Sequence, residues 1–62
     1  MSYVVNSYTG EVIFDGSHDE CLNYVCKMAL KDNFGIYRHW KDEFGVECYD
    51  VGHSAIYQII NN

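Results

Sequence analysis

Apolar and polar residues alternate along most of this chain, and one segment in the middle instead repeats with helical spacing. Alternation over 3–7 and 11–15 predicts one β-hairpin, and alternation over 36–42 and 46–51 predicts a second. A last alternating run at 55–60 predicts a further strand, which follows a turn at 52–54. The expected order is therefore a β-hairpin, one α-helix, and then a three-stranded antiparallel meander.

The predicted hairpins share one kind of turn. Ser7-Tyr8-Thr9-Gly10 and Asp42-Glu43-Phe44-Gly45 each begin with a residue that favours the first position of a type I turn. Each ends in a glycine three residues later, which suits a three-residue loop closed by a left-handed residue. This register places four cross-strand pairs in contact: Val5 with Ile13, Val4 with Phe14, Arg38 with Asp50, and Lys41 with Glu47.

The middle segment predicts one amphipathic helix. Ser17 and Glu20 have the spacing of a capping box, and the residues at 32–35 are expected to end the helix. At 100° per residue one helix face is apolar. This face comprises Cys21, Leu22, Val25, Met28 and Ala29. We expect residues 1–62 to form one α+β domain with the helix packed on one sheet face.

One helix covers only one face of a sheet, whereas the predicted strands carry apolar residues on both faces. Sheet curvature, Phe34, Phe44 and the termini can hide part of this excess. We expect the rest to be an exposed aromatic patch, which is typical of an interface. Tyr37, His39 and Tyr49 are predicted to supply contact area from one sheet face. Half-buried aromatic residues in a small core are the alternative interpretation.

Charge narrows the class of partner. Nine acidic residues oppose four basic ones, for a net charge of −5, which disfavours direct binding to nucleic acid. Acidic residues cluster near the helix start and at the second hairpin tip. The clusters comprise Asp15, Asp19 and Glu20, and Asp42, Glu43 and Glu47. They could imitate phosphates towards a basic protein surface. Capping, turn chemistry and strand pairing explain most of these acids, but not Asp15 or Glu43.

The sequence gives little support for a disulfide framework, a metal site, a cofactor site or a catalytic site. Three cysteines make no complete disulfide framework, so we expect reduced thiols and a cytoplasmic protein. No signal peptide, membrane segment, cofactor site or phosphate-binding glycine loop is predicted. Possible metal ligands (His18, His39, Cys48 and His53) do not have the spacing of a site. A nucleophilic enzyme would need Cys48 or Ser54 as the nucleophile, His53 or His39 as the base and Asp50 to orient the base. The sequence around these residues has no signature of a known nucleophile, so no enzyme activity is expected.

In size, charge and architecture the chain resembles small acidic accessory proteins encoded by bacteriophages, many of which inhibit a host protein. The resemblance implies a stoichiometric inhibitor or modulator of a bacterial nucleic-acid-handling protein, such as a defence nuclease or a polymerase. Such a protein would act in the host bacterial cytoplasm by occluding or mimicking nucleic acid. Two alternatives stay open: a homodimeric structural module whose spare sheet face pairs with itself, and a small enzyme or ligand carrier.

Overall fold

The computed structural model describes residues 1–31, 35–52 and 56–61. Five strands and one helix follow one another along the chain. They are β1 (Ser2–Asn6), β2 (Glu11–Gly16), α1 (His18–Lys31), β3 (Arg38–Lys41), β4 (Glu47–Asp50) and β5 (Ile56–Asn61). All strand pairs are antiparallel, and the sheet order is β2-β1-β5-β4-β3. The predicted α+β fold and the β3-β4-β5 meander are confirmed.

The first hairpin departs from its predicted register at one residue. Val4 pairs with Phe14 as expected, but Val5 pairs with Val12 rather than with Ile13. The Val5–Ile13 prediction is wrong because β2 carries a β-bulge, in which two residues oppose one on the partner strand. The loop is also one residue longer than predicted, since the last pair is Asn6 with Glu11.

The second hairpin has the predicted register throughout. Arg38 pairs with Asp50, and Lys41 pairs with Glu47. At the tip, the Gly45 N–H donates to the Asp42 carbonyl over 3.0 Å, and Gly45 has a φ of 79°. A left-handed glycine here gives the loop the twist of its flanking strands, which fixes the register.

The predicted capping box begins the helix. The Glu20 N–H donates to Ser17 Oγ over 3.1 Å, and the Ser17 N–H donates to Glu20 Oε1 over 2.9 Å. At the other end the Gly35 N–H donates to the Ala29 carbonyl, and Gly35 has a left-handed φ of 69°. The rest of the predicted helix end (32–34), most of the turn predicted at 52–54, and the start of the last predicted strand (residue 55) lie outside the described residues.

The hydrophobic core lies between the helix and one face of the sheet. Cys21, Val25 and Ala29 are the helix residues buried there. They pack with sheet residues Val4, Tyr49, Val51, Tyr57 and Ile59. The helix contacts β1, β2 and β5, so it covers the half of the sheet that contains the first hairpin.

No described helix or strand lies over the opposite face of the sheet, which we call the open face. Strand pairing assigns its residues, because directly opposed side chains point to the same side. Its apolar members are Tyr3, Val5, Val12, Trp40, Cys48, Ile56 and Ile60, with Gln58 among them and Asp15, Arg38 and Asp50 at its margins. Apolar strand residues therefore lie on both faces, but the expected exposed aromatic patch is not present on this one: only Val12 is exposed, Tyr3 and Trp40 are half-buried, and Val5 and Cys48 are buried.

Candidate protein-binding site

Of the eight acidic residues that the structure describes, six lie at one end of the molecule. In the sheet, Gly16, Ser2 and Asn61 lie side by side, and Glu47 pairs with Ile59 near the same end. The helix begins there, directly after β2, and the β3–β4 turn projects from the same end. We call this region the acidic end. Its carboxylates are Asp15, Asp19, Glu20, Asp42, Glu43 and Glu47. The two acidic clusters of the sequence thus form one surface.

A direct contact joins the two clusters. His18 Nε2, at the helix start, lies 2.6 Å from Glu47 Oε2 on β4. The Tyr49 hydroxyl donates to Glu47 Oε1 over 3.3 Å. Burial disfavours the charged form of Glu47, but hydrogen bonds from His18, Tyr49 and Asn61, together with the His18 charge, outweigh it and lower the pKa of Glu47. Glu47 therefore stays ionised, with both oxygens occupied within the chain.

The β3–β4 turn is closed by hydrogen bonds to the side chain of Asp42. Asp42 Oδ1 accepts from the Phe44 N–H over 2.8 Å and from the Val46 N–H over 2.9 Å. These bonds hold the turn closed, as Asp at the first turn position commonly does. Glu43 and Phe44 occupy its outermost positions, and the Phe44 side chain is 83% exposed. An aromatic ring beside two carboxylates is thus presented at the tip of the acidic end.

The remaining acidic residues of the acidic end differ in whether their carboxylates interact with other groups of the same chain. Glu20 caps the helix, and its bonds from the Ser17 backbone and side chain lower its pKa. Asp19 lies in the first helix turn, where its charge suits the helix dipole. Within the described residues, Asp15 and Glu43 have no hydrogen-bond or ion-pair partner. The two acids that sequence reasoning left unexplained also lack a local structural role here.

Of the three predicted aromatic contact residues, two are exposed and one is buried. Tyr37 precedes β3 and is 76% exposed, and His39 is exposed on β3. Tyr49 is only 4% exposed and belongs to the core, with its ring stacked on His39 at 4.6 Å between centroids. Burial, followed by the charge and hydrogen bond of Glu47 and the charge of Cys26, raises the pKa of Tyr49 to about 12. Tyr49 therefore supports the site from beneath rather than offering contact area.

Sequence reasoning did not single out Phe44 as a candidate contact residue. Phe44 was expected to help to hide apolar surface, whereas it points into solvent. The signal was present in the turn prediction itself, because the residue before the closing glycine of such a loop lies at its tip.

Two depressions on the surface are small. One, of about 270 Å³, is lined by Phe14, Glu20, Asn23, Tyr24 and Lys27, and its wall includes the stacked rings of Phe14 and Tyr24. The other, of about 210 Å³, is lined by Cys26, Ala29, Leu30, Gly35 and Ile36. Across residues 1–31, 35–52 and 56–61, no three His, Cys, Asp or Glu side chains are grouped to hold a metal ion. No helix in these ranges has the length and apolarity to cross a membrane.

Comparison with known proteins gives this chain no relative. No protein-family model matches it, and neither a curated protein nor a solved structure does. The contacts and charges of its own residues therefore carry any functional proposal.

Proposed function

We propose that this chain is a small protein-binding module that docks its acidic end on a basic surface of a nucleic-acid-handling protein. The convergence of six carboxylates at one end, around an exposed Phe44, carries this proposal. The most economical biological role is that of a phage-type stoichiometric inhibitor or modulator of a bacterial nuclease or polymerase, acting in the cytoplasm by occluding or mimicking nucleic acid.

The charge distribution supports an oriented approach. Lys27, Lys31 and Arg38 lie towards the opposite end of the molecule together with Glu11 and Asp50, and Lys41 lies at the acidic end, so the excess of negative charge is concentrated at the acidic end. A molecule with separated charges turns its acidic end towards a basic cleft during diffusional encounter. Such steering increases the association rate and weakens as salt screens the charges.

Electrostatic attraction alone gives little affinity, so an anchor is needed. Phe44 is suited to this role because binding buries an aromatic ring that is now in water. The turn that carries it is closed by Asp42, so little conformational entropy is lost on docking. Glu43, beside the ring and without an internal partner, is placed to meet a basic side chain.

The test is capture followed by competition. The protein is immobilised and exposed to bacterial lysate at about 50 mM and about 500 mM salt, which changes the screening length from roughly 14 Å to roughly 4 Å. A captured protein is then purified with a fluorescent oligonucleotide bound. We expect the wild-type chain to displace the oligonucleotide at a stoichiometric ratio.

Two variants and a matched control locate the surface. Phe44→Ala should weaken binding by roughly 30-fold, as loss of an aromatic anchor does. Glu43→Lys should weaken it mainly at low salt. Glu11→Lys makes the same change of charge at an exposed residue of the opposite end and should have little effect. The proposal is rejected if no protein is captured. It is also rejected if the affinity does not change with salt and Glu43→Lys and Glu11→Lys have equal effects.

A further inference from the structure

The open face has a symmetrical layout about its centre. β5 is the middle strand of the five, and Gln58 is the middle of its three open-face residues, between Ile56 and Ile60. Gln58 therefore marks the centre of the face. Its neighbours in the same row are Val5 on one side and Cys48 on the other, and these are only 9% and 3% exposed. A single polar amide thus lies in the middle of an apolar surface.

Opposite charges lie at diagonal corners of this face. Asp15 is on the edge strand β2, at the acidic end. Arg38 is on the other edge strand, β3, at the opposite end, and its guanidinium lies over the Trp40 ring at 4.5 Å. The remaining charge on this face is Asp50, whose carboxylate accepts the Gly52 N–H. The Asp15 carboxylate has no described partner within its own chain.

We propose that the open face binds a second copy of this chain, face to face, about a two-fold axis that lies between the two sheets and passes by Gln58. In such an isologous contact a residue on the axis meets its own equivalent, and two residues off the axis meet reciprocally. Gln58 Nε2 donates to Cys48 Sγ of its own chain over 4.0 Å, and since an amide has a second N–H donor and an acceptor oxygen, the two Gln58 side chains pair with one another at the axis. The diagonal corners exchange, so that Asp15 of each copy meets Arg38 of the other and two ion pairs form.

The exchange of these corners fixes the direction of the axis. The axis must run along the other diagonal of the face, so the strands of the two copies cross at close to a right angle. Crossing near 90° is one of the two ways in which β-sheets pack face to face. It brings Trp40 of each copy towards Tyr3 of the other, and Val5 towards Ile56, which further buries the half-buried side chains Tyr3, Trp40 and Ile56.

The area of the open face is at the lower limit for a reversible dimer. A molecule with extents of 30 × 23 × 19 Å presents a largest face of about 700 Å². The five strands alone span about 20 Å by 20 Å, which is roughly 400 Å². Specific interfaces bury upwards of about 500 Å² per partner, so the strands alone fall short of that range and the turns around them must contribute. We expect a dissociation constant on the order of 10 µM, set by complementarity rather than by area.

The same axis determines how dimerisation responds to salt. The axis runs past the corner of the face from which the β3–β4 turn projects. The β3–β4 turns of the two copies therefore extend side by side beyond the sheets. Each copy has a net charge of −5, and screening relieves the repulsion between them. Dimerisation should therefore be tighter at about 500 mM than at about 50 mM salt, whereas docking of the acidic end on a basic partner should be weaker. Tighter dimerisation at the lower salt overturns the proposed orientation.

Sedimentation velocity over about 1 µM to 1 mM tests the dimer. The wild-type chain should pass from monomer to dimer, and a strict monomer at the highest concentration overturns the proposal. Gln58→Lys places two like charges at the axis and should weaken dimerisation by at least about 100-fold. Asn23→Lys makes a cationic substitution on the exposed side of the helix and should leave it unchanged. Equal effects of the two substitutions also overturn the proposal.

Mixing single variants tests the corner pairs. Asp15→Lys alone and Arg38→Glu alone should each dimerise about tenfold more weakly, since both corners then oppose like charges. Mixed together, they should form a heterodimer within about threefold of wild-type affinity. In that heterodimer the lysine introduced by Asp15→Lys meets the glutamate introduced by Arg38→Glu at one corner. At the other corner the unchanged Arg38 of the first variant meets the unchanged Asp15 of the second, so both corners have an ion pair. Native mass spectrometry distinguishes the species by mass. A statistical mixture overturns the two-fold arrangement, whatever the outcome of the capture experiment with Glu43→Lys.

Discussion

The contact between His18 and Glu47 joins the helix start to the second hairpin, so removing the Glu47 charge should loosen the acidic end. Glu47→Gln keeps the size of the side chain and an acceptor for Tyr49. A hydrogen bond to a charged group contributes about 1.5–3 kcal/mol, and less when a partner is exposed. The His18 side chain is 41% exposed and that of Glu47 is 16% exposed. We therefore expect a loss of about 1 kcal/mol at pH 7.

That loss matters because the chain is short. At about 0.05–0.15 kcal/mol per residue, a domain of this length has a free energy of unfolding of about 3–9 kcal/mol. A change of about 1 kcal/mol should lower the Tm by roughly 4–8 °C. Urea denaturation followed by circular dichroism measures the free energy, and an unchanged m-value shows that wild type and variant unfold in the same way.

The pH dependence gives the refuting result. The folded-state pKa of Glu47 lies below its ordinary value of 4.5, so folding favours the ionised form. The stabilisation is fully present above the unfolded pKa and is lost as the pH falls through the folded pKa. The difference between wild type and Glu47→Gln should therefore be fully present above the unfolded pKa and should disappear below the folded pKa. A difference that stays constant across this range would refute the assignment of the effect to the Glu47 charge.

Other predictions concern the core, the turn and Tyr49. Ile59 is buried in the central strand, so Ile59→Ala should cost about 2–5 kcal/mol and leave much of the chain unfolded by circular dichroism. Gly45→Ala places a side chain at a φ of 79° and should cost about 1 kcal/mol in urea denaturation. Because the pKa of Tyr49 is raised to about 12, stability should fall as the pH rises from about 10 towards 12. Ultraviolet titration should show one tyrosine ionising last, and Tyr49→Phe should remove that step.

Local features of this fold were predictable because they depend on residues close in sequence. The Ser17–Glu20 capping box and the Asp42–Gly45 turn each involve four consecutive residues, and both form as predicted. The pairing of Arg38 with Asp50 follows from the turn that joins their strands. A type I turn with a left-handed glycine allows little choice of register.

Non-local features were not accessible in the same way. The pairing of β1 with β5 brings Ser2 beside Asn61, which no turn dictates. The bulge in β2 was missed because strict alternation places Val12 and Ile13 on opposite faces, and since both are apolar the pattern carries no sign of the extra residue. The burial of Tyr49 depends on which strands the helix crosses, and the sequence pattern gives only the two sheet faces. The union of the two acidic clusters follows from this topology, so it was also beyond sequence reasoning.

The borders of the sheet have a consequence for how the protein behaves when crowded. Its outermost strands are the two that another chain could extend by hydrogen bonding, as happens in fibril growth. One border is bent by the bulge near Ile13, and the other is four residues long and includes the cations Arg38 and Lys41. Both devices discourage a neighbouring strand from templating on the backbone. When the protein accumulates inside a cell, we therefore expect monomers and dimers rather than amyloid-like deposits.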